Sequence, residues 1–231
     1  VFVYFCMSRH PPRATPFPYP TLHRSPKCGS GKSLVTRHLL VAAAQDGQKF
    51  IEIYCDRQGT IDKWRKRRQA LRSKMPEFID VPIVGAQLQD WRGGLSHANG
   101  YDLAVIDTPP SVEDHMSAIT GLAQAADIVV VPCACTQDDV DSIAPWIDVL
   151  NQVTNNTVVV LNRANRRTNS FARVRGRLIK VADVIPVELP QLEDVHVPSG
   201  KGLTLLDFTK SRGQEPFEEL WAFINRKISN V

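Results

Sequence analysis

Residues 26–33 read Pro26-Lys27-Cys28-Gly29-Ser30-Gly31-Lys32-Ser33. Gly31, Lys32 and Ser33 complete the second half of a phosphate loop, GxxxxGK(S/T), and Pro26 stands where its first glycine belongs. Small residues let backbone N–H groups wrap a phosphate, and a helix that starts at Gly31 adds its positive N-terminal end. The helix is legible: GKSLVTRHLLVAAAQDG (31–47) has apolar residues at helical spacing and closes at Gly47. Lys32 would then reach the outer phosphates, and the Ser33 hydroxyl would bind Mg²⁺. Cys28, Gly29, Ser30 and Leu34 complete the stretch whose backbone surrounds the phosphates.

Beyond the loop, strands and helices alternate. KFIEIYC (49–55), YDLAVID (101–107), DIVVVPC (127–133), NTVVVLN (156–162) and VIPVELP (184–190) read as strands. Helices are expected over 61–74, 111–126, 138–152, 168–181 and 215–229. Alternation of this kind predicts an α/β fold, a mostly parallel twisted sheet flanked by helices. VVVPC and TVVVLN are apolar on both faces, as buried parallel strands should be.

The chain has 231 residues, 43% of them hydrophobic and 23% charged, and a net charge of +4. That composition excludes wholesale disorder. No run approaches the ~18 apolar residues of a membrane span. Five cysteines without repeated CxxC spacing argue against a disulfide framework or a zinc site, and a reducing compartment is expected. Five prolines fall within residues 11–20, so residues 1–25 are read as a Pro-rich N-terminal extension, with VFVYFC as a possible short strand. The domain proper is placed at 26–231.

Lys27 precedes Lys32 by five residues, and Lys-x-Gly-x-Gly-Lys-Ser/Thr is the deviant Walker A motif of the ParA/MinD superfamily. The resemblance continues along the chain. Cys55-Asp56-Arg57-Gln58-Gly59-Thr60, with Trp64 after it, is similar to the switch I stretch of that superfamily. Tyr101-Asp102-Leu103-Ala104-Val105-Ile106-Asp107-Thr108-Pro109-Pro110 resembles its Walker B strand and switch II. Ala126 to Pro132 and Val160 to Arg163 resemble the two strands that follow. The match spans roughly residues 26–225 and is closest to the short ParF-like plasmid partition ATPases.

The resemblance implies a P-loop ATPase using ATP and Mg²⁺, which forms an ATP-sandwich homodimer. Lys27 would reach across that dimer to the partner's nucleotide. Lys32 would hold the transferring phosphoryl group, Asp56 would position the attacking water, and Asp107 would join Ser33 at the metal. Asn162 would contact adenine. Three departures are visible: Cys28 replaces a glycine, Tyr54 replaces the first switch I Asp, and Arg57 replaces Pro. Slow turnover is therefore expected. The segment Thr21–Ser25, which should lead into the loop, has little β character.

Positive charge is concentrated. Residues 62–74 and 162–180 each hold seven Lys or Arg, so 14 of 28 basic residues occupy 32 positions. Such clusters suit phosphate backbones. The resemblance implies non-specific DNA binding by the ATP-bound dimer, with Arg163, Arg166, Arg167, Arg173, Arg175 and Arg177 as candidate contacts. The 62–74 run reads instead as a solvated helix face. In the last helix, Phe217, Leu220, Trp221, Ile224 and Ile228 lie at helical spacing, and the polar face mixes Glu218 and Glu219 with Arg226 and Lys227. That mixture favours core packing over an amphipathic membrane helix, and no stable membrane association is expected.

The expected function is an ATP-dependent partition ATPase, cytoplasmic and nucleoid-associated, whose hydrolysis a ParB-like partner stimulates. Two alternatives stand beside it: a nucleotide-binding module with degenerate activity, and a MinD-like positioning ATPase.

Overall fold

The computed structural model describes residues 31–55, 59–109 and 115–230, together with the backbone of Tyr4–Met7. In chain order the elements are β1 (Tyr4–Met7), α1 (Lys32–Gln45), β2 (Phe50–Tyr54), α2 (Thr60–Arg72), β3 (Ile83–Gly85), α3 (Trp91–Leu95), β4 (Leu103–Asp107) and α4 (Met116–Ala125). There follow β5 (Ile128–Ala134), α5 (Gln137–Asn151), β6 (Thr157–Ala164), α6 (Asn169–Leu178), β7 (Val184–Pro190), α7 (Glu193–His196) and α8 (Glu215–Ser229), with single 3₁₀ turns between some of them.

The seven strands form one sheet in the order β3-β2-β4-β1-β5-β6-β7. The two outer groups, β3-β2-β4 and β5-β6-β7, are each parallel. β1 lies between them and runs antiparallel to both neighbours, with Tyr4 opposite Asp107 and Met7 opposite Ala104. The mostly parallel sheet is thus present with one reversed central strand. β4 and β5 would otherwise each present a row of unpaired N–H and C=O groups at the centre of the sheet, and β1 supplies partners to both. The segment 21–25 lies outside the described residues.

Each strand sends alternate residues to opposite faces, and both faces are covered. Ile51, Ile53, Ile106, Val129, Val131 and Leu161 pack with Ile119 of α4, Trp146 of α5 and Val174 of α6. Phe50, Val105, Val130, Val158 and Val160 pack on the other side with Leu39 and Leu40 of α1, Trp64 of α2 and Phe217 of α8. This double burial explains why the strand sequences are continuously apolar. Phe217, Leu220, Trp221 and Ile224 are all buried, so α8 is a core helix, as its mixed polar face indicated. No described helix is long and apolar enough to cross a membrane.

The basic helix α2 differs from expectation. It is not simply a solvated face. Arg68 is 1% exposed and holds Asp207 through both guanidinium nitrogens, at 2.9 and 2.7 Å. It also donates to Ile79 O and Gly202 O, and its guanidinium lies 5.3 Å from the Trp64 ring centre. Arg72 pairs with Asp80 at 3.0 Å, and Arg67 donates to Ser199 O. Gly202 sits on this helix so closely that a Cβ there would lie 2.2 Å from Arg68 N. The arginines of α2 therefore fasten it to the 196–207 segment. Lys66, 68% exposed where it pairs with Asp62, keeps the character of a solvated face.

Candidate functional site

The carboxyl ends of parallel strands are where open α/β sheets bind ligands. β4 and β6 end at one place, beside the N-terminus of α1. Gly31 is the residue before α1 and adopts φ +94°, a left-handed conformation open to glycine without strain. Its carbonyl accepts from Leu34 N and Val35 N at 3.1 and 3.0 Å, so the helix starts at once. Lys32 is buried, and its Nζ donates to Thr108 O at 3.0 Å. This bond ties the loop lysine to the residue after Asp107, which ends β4 and is itself 2% exposed. Asn162 lies on β6, and its amide packs on Gly31: a Cβ on Gly31 would fall 1.8 Å from Asn162 Nδ2. Asn162 Oδ1 also accepts from Arg163 N at 2.9 Å. Arg163 has φ +53°, alone among the described non-glycine residues in being left-handed. Such strain persists only where neighbours enforce it, and the Asn162 bond is one such neighbour.

The structure thus brings together Gly31, Lys32, Ser33, Leu34, Asp107 and Asn162, of which the first and last are 131 positions apart in the chain. Lys27, Cys28, Gly29, Ser30 and Asp56 lie outside the described residues. Ser33 and Asp107 offer hard oxygen donors near a buried ammonium group and a helix N-terminus. That donor set suits Mg²⁺, which takes few protein ligands and completes its shell with water and phosphate oxygens. No cluster of three or more His, Cys, Asp or Glu ligands exists among the described residues.

One neighbour, Glu52, was not singled out from sequence. Glu52 lies on β2 opposite Val105 and shares a sheet face with Asp107. It is fully buried, and neither carboxylate oxygen meets a hydrogen-bond donor among the described residues. Burial pushes its acid group well above the usual carboxylate range, and the negative charge of Asp107 adds to the effect, while Arg37 and Arg65 oppose it. The signal was present as one acid inside KFIEIYC. Tyr54, the departure from the switch I pattern, turns to the sheet edge: its hydroxyl lies where a Cβ on Gly85 would approach within 2.9 Å. Cys55 is buried beside Asp107, and desolvation pushes its thiol up to about 12, so it is no nucleophile.

The six candidate DNA-contacting arginines fall into two groups. Arg166 and Arg175 both pair with Glu188 of β7, Arg175 Nε at 3.1 Å from Oε1. Arg177 pairs with Asp141 of α5 at 2.6 Å. Arg163, Arg167 and Arg173 are exposed. The charge of Arg163 also helps, after burial, to hold His196 below the ordinary histidine range.

No family model matches the sequence, and no curated protein does. Solved structures do match. The septum site-determining protein MinD of Pyrococcus horikoshii OT3, complexed with Mg-ADP, is 18% identical. The alignment covers 87% of this chain and 93% of that one, with a TM-score of 0.66. A plasmid partition protein of Borrelia burgdorferi B31 bound to AMPPNP is 15% identical over 87% of this chain and 96% of its own, with a TM-score of 0.64. Cobyrinic acid a,c-diamide synthase of Mycobacterium smegmatis, with ADP and magnesium, matches at 16% identity over 88% and 92%, with a TM-score of 0.58. At these identities the likeness establishes the fold alone, which the chain shares with all three proteins.

Proposed function

We propose that the chain is a ParA-type ATPase: it binds ATP with Mg²⁺, dimerises around the nucleotide, binds DNA non-specifically and positions a DNA cargo. A ParB-like partner would stimulate hydrolysis and release. The single observation that carries the reading is the meeting of Gly31, Lys32 and Asp107 at one end of the sheet, with Lys32 Nζ fixed on Thr108 O. The fold shared with MinD and with a plasmid partition protein supports it.

The site residues divide the work. The N–H groups at the start of α1 have no acceptor within the helix, so they offer hydrogen bonds to phosphate oxygens. Lys32 is already desolvated, so its ammonium charge acts on a phosphoryl group with little screening. Ser33 and Asp107 would hold Mg²⁺, which neutralises charge on the phosphates as they separate. Asn162 would meet adenine beside Gly31. Lys27 would add a second cation from the partner protomer, and Asp56 would orient the attacking water. Arg163 and the arginines after it extend from the same strand end as Asn162, so nucleotide and DNA would meet opposite ends of one short segment.

The placement of Tyr54 over Gly85 favours a second reading, a nucleotide-binding module with little turnover, because that side chain brings no acid to the metal. Co-sedimentation with non-specific duplex DNA, with ATP, ADP or no nucleotide, tests the proposal. Binding that requires ATP, falls with salt and disappears in Lys32→Ala is expected. Binding that ignores nucleotide refutes the switch. Phosphate release above the Lys32→Ala background separates the ATPase from the module.

A further inference from the structure

Half of the six arginines on the candidate DNA face are already paired with acids of the protein, and the acids differ in kind. Glu188 sits on the edge strand β7, opposite Leu161 of β6, and its side chain is 8% exposed. Two arginines from different elements converge on it. Arg166 comes from the turn after β6 and Arg175 from the middle of α6. Asp141 is 50% exposed and its partner Arg177 is 53% exposed. The first arrangement is a buried carboxylate with two cations and the second a surface pair.

We propose that Glu188 is an internal counter-charge that divides the basic surface. It keeps Arg166 and Arg175 engaged within the protein, and leaves Arg163, Arg167, Arg173 and Arg177 to take the phosphates of a DNA backbone. The proposal rests on the DNA-binding reading and deepens it.

Phosphate and carboxylate compete for the same guanidinium geometry. Moving Arg166 or Arg175 onto a phosphate strips cations from a carboxylate that has little water to replace them, and an uncompensated buried charge is costly. Moving Arg177 away from Asp141 costs little, because exposed pairs contribute little and water solvates the freed acid. Arg163, Arg167 and Arg173 have no ion pair to break among the described residues.

Salt dependence reads the number of phosphates engaged, because each contact adds about 0.9 to the slope of log affinity against log salt. The ATP-loaded full chain is titrated onto a non-specific duplex over a salt series. Arg167→Gln and Arg173→Gln should each lower the slope by about 0.9, while Arg166→Gln and Arg175→Gln leave it unchanged. Glu188→Gln removes the counter-charge, so both held arginines become contacts and the slope should steepen by up to about 1.8, a roughly 60-fold change in relative affinity over a tenfold salt range. Adding Arg166→Gln and Arg175→Gln to Glu188→Gln should return the slope to that of the wild type. A purely structural Glu188 would not steepen the slope.

An unchanged slope in Glu188→Gln overturns the proposal. So does a loss of about 0.9 in Arg175→Gln or Arg166→Gln alone, and that comparison decides the matter if Glu188→Gln fails to fold. Failure of the ATP-loaded wild type to bind the duplex at any salt overturns the DNA-binding reading itself, and this proposal falls with it.

Discussion

His38 gives the protein a built-in acid sensitivity whose size follows from its surroundings. The ring lies in α1, 2% exposed, and stacks on Phe217 with centroids 3.8 Å apart. Its Nδ1–H donates to Leu34 O at 2.7 Å, and Nε2 accepts from Leu205 N at 3.3 Å. Both nitrogens are therefore used by the neutral tautomer, and a proton on Nε2 would face the N–H of Leu205. Burial, helped by the nearby charge of Arg37, lowers its pKa from 6.5 to about 3. The unfolded chain thus binds a proton near pH 6.5 that the folded chain refuses until near pH 3. The stability tied to neutral His38 is fully present above pH 6.5 and is lost as pH falls toward 3. One pH unit within that window costs about 1.4 kcal/mol, so the fall from pH 7 to pH 5 costs about 2 kcal/mol. His38→Gln cannot titrate and removes this component, whatever its effect at neutral pH. Urea unfolding of both proteins at pH 7, 6 and 5 is the assay. The gap between wild type and variant should shift in favour of the variant by about 2 kcal/mol between pH 7 and 5. Parallel pH profiles would refute the reasoning, because every other titrating group cancels in the difference.

Glu52 has the opposite sign. Its folded acid group is raised, so its stability is fully present below the unfolded value of 4.5 and is lost as pH rises toward the folded value. Glu52→Gln should match the wild type near pH 4 and exceed it at pH 7 in the same unfolding assay, and a variant less stable at pH 7 would contradict the burial argument. Gly31→Ala places a methyl 1.8 Å from Asn162 Nδ2 at φ +94°, so fluorescent ATP-analogue binding should fall more than tenfold, by an estimate from a cost of at least 1–2 kcal/mol for the left-handed backbone alone. Asn162→Ala added to Gly31→Ala should not restore wild-type affinity, since the backbone strain remains. Asp207→Asn uncouples a buried pair and should cost about 3–5 kcal/mol, a fall in Tm of roughly 6–20 °C, whereas Asp62→Asn on the exposed face of α2 should change Tm by no more than about 4 °C.

The sheet was legible where burial is two-sided. β5 and the Val158–Leu161 run of β6 are continuously apolar, and the expected strands at 127–133 and 156–162 fall within a residue or two of the observed ones. The helix at 215–229 coincides with α8 because Pro216 and the apolar spacing mark it. What escaped was short or defined by distant partners. β3 has three residues, half-exposed and ending in glycine. α3 reads Trp-Arg-Gly-Gly-Leu, poor for a helix, yet Asp90 caps Gly93 N, and a Cβ on Gly94 would come within 2.8 Å of Ala86. The place of β1 between β4 and β5 depends on two strands distant in the sequence, which no local pattern encodes. In the site, Gly31, Lys32 and Asp107 stood out by motif, and the structure brings them to one end of the sheet. Charge counting found the arginines but not their partners: Arg68 meets Asp207 across 139 positions, and Glu188 sits unmarked within VIPVELP.

The central claim is that Lys32 and Asp107 form one nucleotide site. Equilibrium binding of a fluorescent ATP analogue with Mg²⁺ tests it most directly, comparing wild type with Lys32→Ala and Asp107→Ala. The account predicts saturable binding by the wild type, its loss in Lys32→Ala, and loss of the Mg²⁺ dependence in Asp107→Ala. Equal binding by all three proteins would contradict it.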